Sequence, residues 1–258
     1  MSGFEADWLA LRAGADARAR DKGLAARLGA VFAGRGEVRV LDLGAGTGAN
    51  LRATAPLIDA PQHWVLADHD AGLLARAGAA PNTTIERREV DLAADLANLF
   101  DPAPDLVTAS AFLDLCGADW IGRLVALAAT CGAAFYTVLS YDGREQWRPP
   151  DPLDAEVLAA FHADQRRDKG LGPALGPDAN AHLSAILRGH GYRVSEAASD
   201  WKLALPGDAA LIAALADGSA TAVAGAIGSD RANSWRTARL TAHRVTIGHR
   251  DLLALPPE

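Results

Sequence analysis

The chain is short of cysteine, of basic excess and of unbroken apolar runs, and each shortage narrows what it can be. Its two cysteines among 258 residues, Cys116 and Cys131, are too few for a disulfide framework and lack metal-ligand spacing. Both are expected to be buried, reduced thiols, and no His/Cys/Asp cluster suggests a metal. No stretch offers about 20 uninterrupted apolar residues; the most tempting, residues 124–139, is broken by Thr130, Gly132 and Thr137. The N-terminal Met-Ser-Gly-Phe-Glu-Ala-Asp-Trp has no basic region ahead of an apolar one and does not read as a signal peptide. These features lead us to expect a soluble, cytoplasmic protein without a membrane partner. Basic residues are outnumbered, 25 against 32 acidic, for a formal net charge of −7. That balance argues against broad attraction to nucleic acid and favours a small-molecule partner.

What is present is apolar residues, half of the chain, enough for one sizeable core. The organising stretch is residues 38–50, Val-Arg-Val-Leu-Asp-Leu-Gly-Ala-Gly-Thr-Gly-Ala-Asn. Val38, Val40, Leu41 and Leu43 make a nearly continuous apolar run, the pattern of a parallel strand covered on both faces. Gly44, Gly46 and Gly48 follow at alternate positions. Such glycines turn the chain sharply and leave no Cβ between backbone and ligand, so the next helix presents its N-terminal N–H groups.

Two cofactor classes use a turn of this kind. The run Gly44-Ala45-Gly46-Thr47-Gly48-Ala49 satisfies the alanine-ended dinucleotide fingerprint, and the acid Asp68 follows where a ribose-binding carboxylate belongs. NAD(P) is therefore one reading. Asp42, two residues ahead of the first glycine, the early third glycine and the long segment preceding the strand point elsewhere.

The string from Val40 to Gly48 resembles the first motif of the class I S-adenosylmethionine-dependent methyltransferases. Three further segments resemble later motifs of that family in order. Residues 63–68 end a second strand at Asp68; residues 83–92 contain Asp91 and Leu92; residues 104–115 contain Ser110 and Ala111. The resemblance covers about 105 residues. It implies that Asp42, Gly44, Ala45, Gly46 and Gly48 lie under the amino-acid part of the cofactor and that Asp68 accepts from both ribose hydroxyls. It also implies that His69 flanks the adenine, although the family more often has an apolar residue there. Asp91 and Leu92 would meet the adenine edge, and Ser110 and Ala111 the reacting methyl. For Asp91 the alternative is a helix N-cap.

Strand and helix signals alternate from 38 to 141, which predicts an α/β fold: a doubly wound Rossmann-like sheet of about seven strands with helices on both faces. The family's last strand is antiparallel, and residues 244–249 or 201–205 could supply it. The expected organisation is one domain. It would comprise an N-terminal helical segment (1–36), a cofactor-binding core (37–141), a lid or substrate insertion (142–178) and a C-terminal part (179–258). The N-terminal segment, from Phe4 onward, reads as two helices broken near Gly23, with one of Arg12, Arg18 and Arg20, Arg20 first, offered to the cofactor carboxylate; arginines on a solvated face are the alternative.

The polar excursion after the fifth strand, with five prolines between 149 and 177, suits a lid. His162 and Asp142 are its candidate catalytic groups, and Tyr141, Arg144, Gln165 and Lys169 its candidate substrate contacts; a solvated helix is the alternative. The function expected is methylation of O or N on a small polar molecule. An NAD(P)-dependent oxidoreductase and a non-catalytic cofactor-binding protein are the alternatives.

Overall fold

A computed structural model describes residues 6–257; Phe4, where the first helix was expected to begin, lies outside the described residues. Two helices come first, α1 (Ala6–Ala19) and α2 (Lys22–Val31). The break falls at Arg20 and Asp21 rather than near Gly23, because Asp21 caps α2 by accepting from Leu24 N at 2.7 Å.

The sheet strands are β1 (Val38–Leu43), β2 (Gln62–Asp68), β3 (Thr83–Glu89), β4 (Leu106–Ser110), β5 (Ala134–Arg148), β6 (Arg193–Ala198), β7 (Trp201–Ala204) and β8 (Arg244–Leu255). Their order is β3-β2-β1-β4-β5-β8-β6, with β7 also on β8. Strands β1 to β5 run parallel, and β8 pairs antiparallel with β5, β6 and β7. The Rossmann-like expectation therefore holds, and both C-terminal candidates for the antiparallel strand are strands.

The remaining helices are α3 (Ala49–Thr54), α4 (Ala71–Leu74), α5 (Ala118–Cys131), α6 (Asp154–Gln165), α7 (Ala179–Gly189), α8 (Ala209–Ile227) and α9 (Ser229–Arg239). Pro56 ends α3 in a 3-10 turn, Ala55–Leu57, as a ring without an N–H requires. Gly132 at φ +69° closes α5 and leaves Cys131 exposed there, so only Cys116 is the buried thiol expected of both.

Apolar side chains of β1, β2, β4 and β5 fill both faces of the sheet. One layer packs on α5 and α7 through Leu41, Val107, Phe135, Trp120 and Leu183, and the other on α2 and α3 through Val40, Trp64, Leu66, Leu28 and Leu51. A third cluster lies under α8 and α9, where Trp147 meets Trp235 at 5.5 Å between ring centres. It exists because β5 continues to Arg148 instead of ending near Ser140, pairing with β8 in the register Glu145–Ile247 and Trp147–Val245. The expected boundary at 141/142 thus falls inside a strand. Helix α8 is long and apolar enough by length and composition to cross a membrane, with a mean hydropathy of 1.6; one-third of it is buried, and Leu211, Ile212, Ala216, Ala220 and Val223 join the third cluster.

Candidate functional site

The carboxyl ends of β1, β2 and β4 open into a cleft with about 900 Å³ of empty space, part of it open solvent. Its floor is the glycine turn between β1 and α3. Gly44, Gly46 and Gly48 take φ of +64°, +52° and +74°, the left-handed region that side chains with a Cβ avoid. A Cβ on Gly44 would stand 2.4 Å from the Phe112 ring, so the turn can seat against β4 only as bare backbone.

Asp68 ends β2 beside this turn. It is buried, yet it lines the cleft. Its Oδ2 accepts from Gly46 N at 2.8 Å and its Oδ1 from Asp70 N at 3.0 Å, with His69 Nδ1 3.3 Å from Oδ1. The two backbone donors fix the carboxylate in orientation. A carboxylate has about four lone-pair sites, so capacity remains for further donors from the cleft. His69, Leu73 and Leu92 line the same end, the two leucines providing apolar walls for a flat ring.

Under the turn lies a buried polar network that the sequence did not announce. Asn50, on α3, donates to Asp42 Oδ1 at 2.7 Å and to Thr108 Oγ1 at 2.9 Å, and its own oxygen accepts from Arg20 at 2.9 Å. Arg20 also reaches Thr54 Oγ1 at 3.1 Å and Ser110 Oγ at 3.5 Å. Asn50 and Ser110 face the cleft; Asp42, Gly48 and Arg20 lie behind its lining. Arg20 is thus part of the network, with its Nε left without a partner. The N-terminal group in the cleft is Arg12 of α1, beside Leu9 and Asp16. Arg12 holds Asp16 through contacts of 2.9 and 3.1 Å and lies over the Trp201 ring at 4.9 Å, while Trp201 Nε1 donates to Asp16.

Burial pushes the Asp42 carboxyl up from its ordinary 3.8 to about 7; the Asn50 hydrogen bond and the Arg20 charge oppose the shift, and the Asp68 charge adds to it. Between pH 4 and 7 the folded protein therefore holds a proton here that the unfolded chain has released. Stability from this group is full below pH 4 and is lost as pH rises through 7. Asp42→Asn keeps an oxygen for Asn50 and removes the titration. Denaturant unfolding from pH 4 to 8 is expected to show wild-type stability declining more steeply than the variant's; parallel curves would mean that Asp42 stays ionised.

Ala45, Gly44, Gly46, Leu92, Ser110 and Ala111 line the cleft as well, Ala111 at φ +50°. Asp91 does not. It is exposed, and its carboxylate turns back to accept from Ala93 N at 2.9 Å, closing a local turn; no helix begins at Leu92, so the expected N-cap is not formed either. Nor does the excursion after residue 141 supply the lining. Asp142 and Arg144 are locked together at 2.6 Å, with Arg144 also 2.8 Å from Asp200 and Arg250 3.4 Å from Asp142. Lys169 pairs with Asp164 at 3.4 Å, and Gln165 lies against the turn at Gly176. Tyr141 is buried, its hydroxyl 2.8 Å from Glu145 and 3.0 Å from His162 Nε2. Continuation of β5 along β8 carries these residues away from the floor of the cleft, and α1 roofs it in place of α6.

No family model and no curated protein matches this sequence. Solved structures do resemble it. A cyclopropane-fatty-acyl-phospholipid synthase-like protein from Lactobacillus casei superposes with a TM-score of 0.53 at 14% identity, over 96% of this chain and 94% of that one. A protein assigned as a type II methyltransferase from Anaeromyxobacter dehalogenans gives 0.52 at 19% identity, over 92% and 97%. One assigned as a methyltransferase from Bacillus halodurans gives 0.51 at 14%, over 91% and 99%. At these identities the likeness is one of fold: the chain has the Rossmann-like fold of these proteins across nearly its whole length.

Proposed function

We propose that the protein is an S-adenosylmethionine-dependent methyltransferase of class I that acts on a small polar molecule by O- or N-methylation. The observation that carries this reading is the Asp68 carboxylate, clamped by two backbone N–H groups at the lip of a Cβ-free turn and opening on a cleft with an apolar slot. The residues present fit the cofactor. Asp68 would take the ribose hydroxyls, Leu73 and Leu92 the faces of the adenine, and the Gly44–Gly48 backbone with Asn50 the amino-acid part. Arg12 and Asp16 offer both charge signs to a group that carries an ammonium and a carboxylate.

When bound, the cofactor supplies an electrophilic methyl group on sulfur. The protein's own contribution is placement: it holds the acceptor atom in line at about 3 Å, an effect that can account for much of the rate without a dedicated base. Ser110, Ala111 and Phe112, at the end of β4, form the wall where that acceptor would stand.

S-adenosylhomocysteine is expected to raise the melting temperature while NAD and NADP leave it unchanged, since a ligand that binds the native state alone stabilises it. The dinucleotide reading keeps the support of Ala49 after the third glycine, and the reverse result would select it. Arg12→Ala is expected to weaken S-adenosylhomocysteine binding about tenfold by removing a charged donor. Equal affinity in this variant, read by calorimetry, would remove Arg12 from the cofactor site.

A further inference from the structure

Next to the cleft wall formed by Phe112 and Leu115 stands an acidic and aromatic cluster whose carboxylates lack cations. Asp114 stands on the 3-10 turn Leu113–Leu115 that follows β4, between Phe112 and Leu115, which both line the cleft. Its Oδ1 is shielded from solvent and has no hydrogen-bond partner. Burial pushes its pKa up to about 6, with a hydrogen bond from its own backbone N–H and the Arg12 charge opposing. It is close enough to Tyr141 for its charge to act on that phenol. Glu145, beyond Tyr141, accepts from two neutral donors, the Tyr141 hydroxyl and Trp147 Nε1.

Among the described residues neither Asp114 nor Glu145 forms an ion pair, and the cations of the neighbouring elements are committed elsewhere. Arg12 holds Asp16, Arg144 holds Asp142 and Asp200, Arg166 holds Asp178, and Lys169 holds Asp164. The two imidazoles around Tyr141, His162 and His249, have their pKa values lowered by burial, so at neutral pH they add no positive charge. A second acceptor, Gln165 Oε1, is also buried without a donor, and its side chain lies beside Gly176 in the turn that packs on the Asp114 turn. Aromatic rings are close at hand: Phe112 in the lining, and Tyr141 with Phe161 edge-on at 6.3 Å. Shielded acceptors without donors, a lone carboxylate and aromatic faces together form the chemistry that binds an ammonium group.

We propose that this cluster, adjoining the cleft at Phe112 and Leu115, binds the protonated amine of a small acceptor molecule, with the Asp114 carboxylate as its counter-ion and the Phe112 and Tyr141 rings beside it. This assignment rests on the methyltransferase reading and narrows its substrate class to amines. An anionic or lipid-like acceptor would leave Asp114 uncompensated against it, and a neutral alcohol would leave the charge unused.

The test is equilibrium binding, by calorimetry, of three probes of one shape to the whole protein: 2-phenylethylamine, 2-phenylethanol and phenylacetate. Each is titrated with and without saturating S-adenosylhomocysteine, whose own affinity is measured first. The amine is expected to bind at least about tenfold more tightly than the other two, the scale of a partly desolvated ion pair. Asp114→Asn should erase that preference while S-adenosylhomocysteine affinity stays within about twofold. Should the Asn variant fail to fold, Asp114→Ser carries the same comparison. Absence of an amine preference in the wild type, or its persistence without the carboxylate, overturns the proposal. Failure of S-adenosylhomocysteine to bind instead overturns the cofactor reading, and the titrations without it still decide for or against the amine site.

Discussion

Gly46→Val is expected to abolish S-adenosylhomocysteine binding, a loss of about a hundredfold or more, while the protein still folds. Gly46 sits at φ +52°, where a β-branched residue is strained, and it donates its N–H to Asp68 Oδ2 at 2.8 Å. In the free protein a Cβ there would meet only the tip of Leu9 at 3.3 Å, a flexible end that can give way. The folding cost is thus of the order of 1 to 3 kcal/mol from the backbone. The binding cost is larger, because the branched side chain would project into the floor of the cleft where a ligand lies on bare backbone. Circular dichroism and a melting curve separate the two effects. A folded variant with wild-type affinity would place the ligand away from the turn.

The stretch that proved most legible was this turn. Apolar runs bounded by glycine or an acid mark buried parallel strands with little ambiguity, and β1, β2 and β4 carry that pattern because both of their faces are covered. The second half of β5 does not. In Asp142-Gly143-Arg144-Glu145-Gln146-Trp147-Arg148 only Trp147 is a strong apolar side chain, and the glycine reads as a turn. Its strand character comes from β8, about 100 residues later, so the hydrogen bonds that define it are invisible to a local pattern. The same non-local pairing misdirects the choice of lid, since a polar, proline-containing segment resembles a flap wherever its anchors lie in space. Ranking Arg12, Arg18 and Arg20 fails for a similar cause: spacing around the α1–α2 break does not tell which arginine reaches the cleft, and the Trp201 ring that supports Arg12 is 189 positions away. Asn50 was missed because it follows the third glycine, where a helix N-terminus hides an inward amide among ordinary first-turn residues. A signal was present in Asp42: a buried acid in a strand needs a donor, and Asn50 is in reach on the next helix.

Asp68→Ala is the second large effect, and the structure enlarges what the sequence implies for it. As an acceptor for two ribose hydroxyls, the carboxylate is worth a few kcal/mol, since hydrogen bonds to charged groups contribute about 1.5 to 3 each before water compensates. In the free protein the same two oxygens hold Gly46 N and Asp70 N, joining the glycine turn to the start of α4. Alanine therefore removes the ribose contacts and also leaves two backbone donors without their acceptor, loosening the surface on which the rest of the cofactor would lie. We expect S-adenosylhomocysteine affinity to fall by about 3 to 4 kcal/mol, more than a hundredfold. Melting is expected a few degrees lower, because a lost buried acceptor costs roughly 1 to 3 kcal/mol. Asp68→Asn distinguishes the two contributions. Its retained oxygen can still accept one backbone N–H, so stability should return most of the way while affinity stays at least about tenfold below wild type for want of the charge. Calorimetry and thermal unfolding on the two variants read these effects separately, and unchanged affinity in the alanine variant would take Asp68 out of the cofactor site altogether.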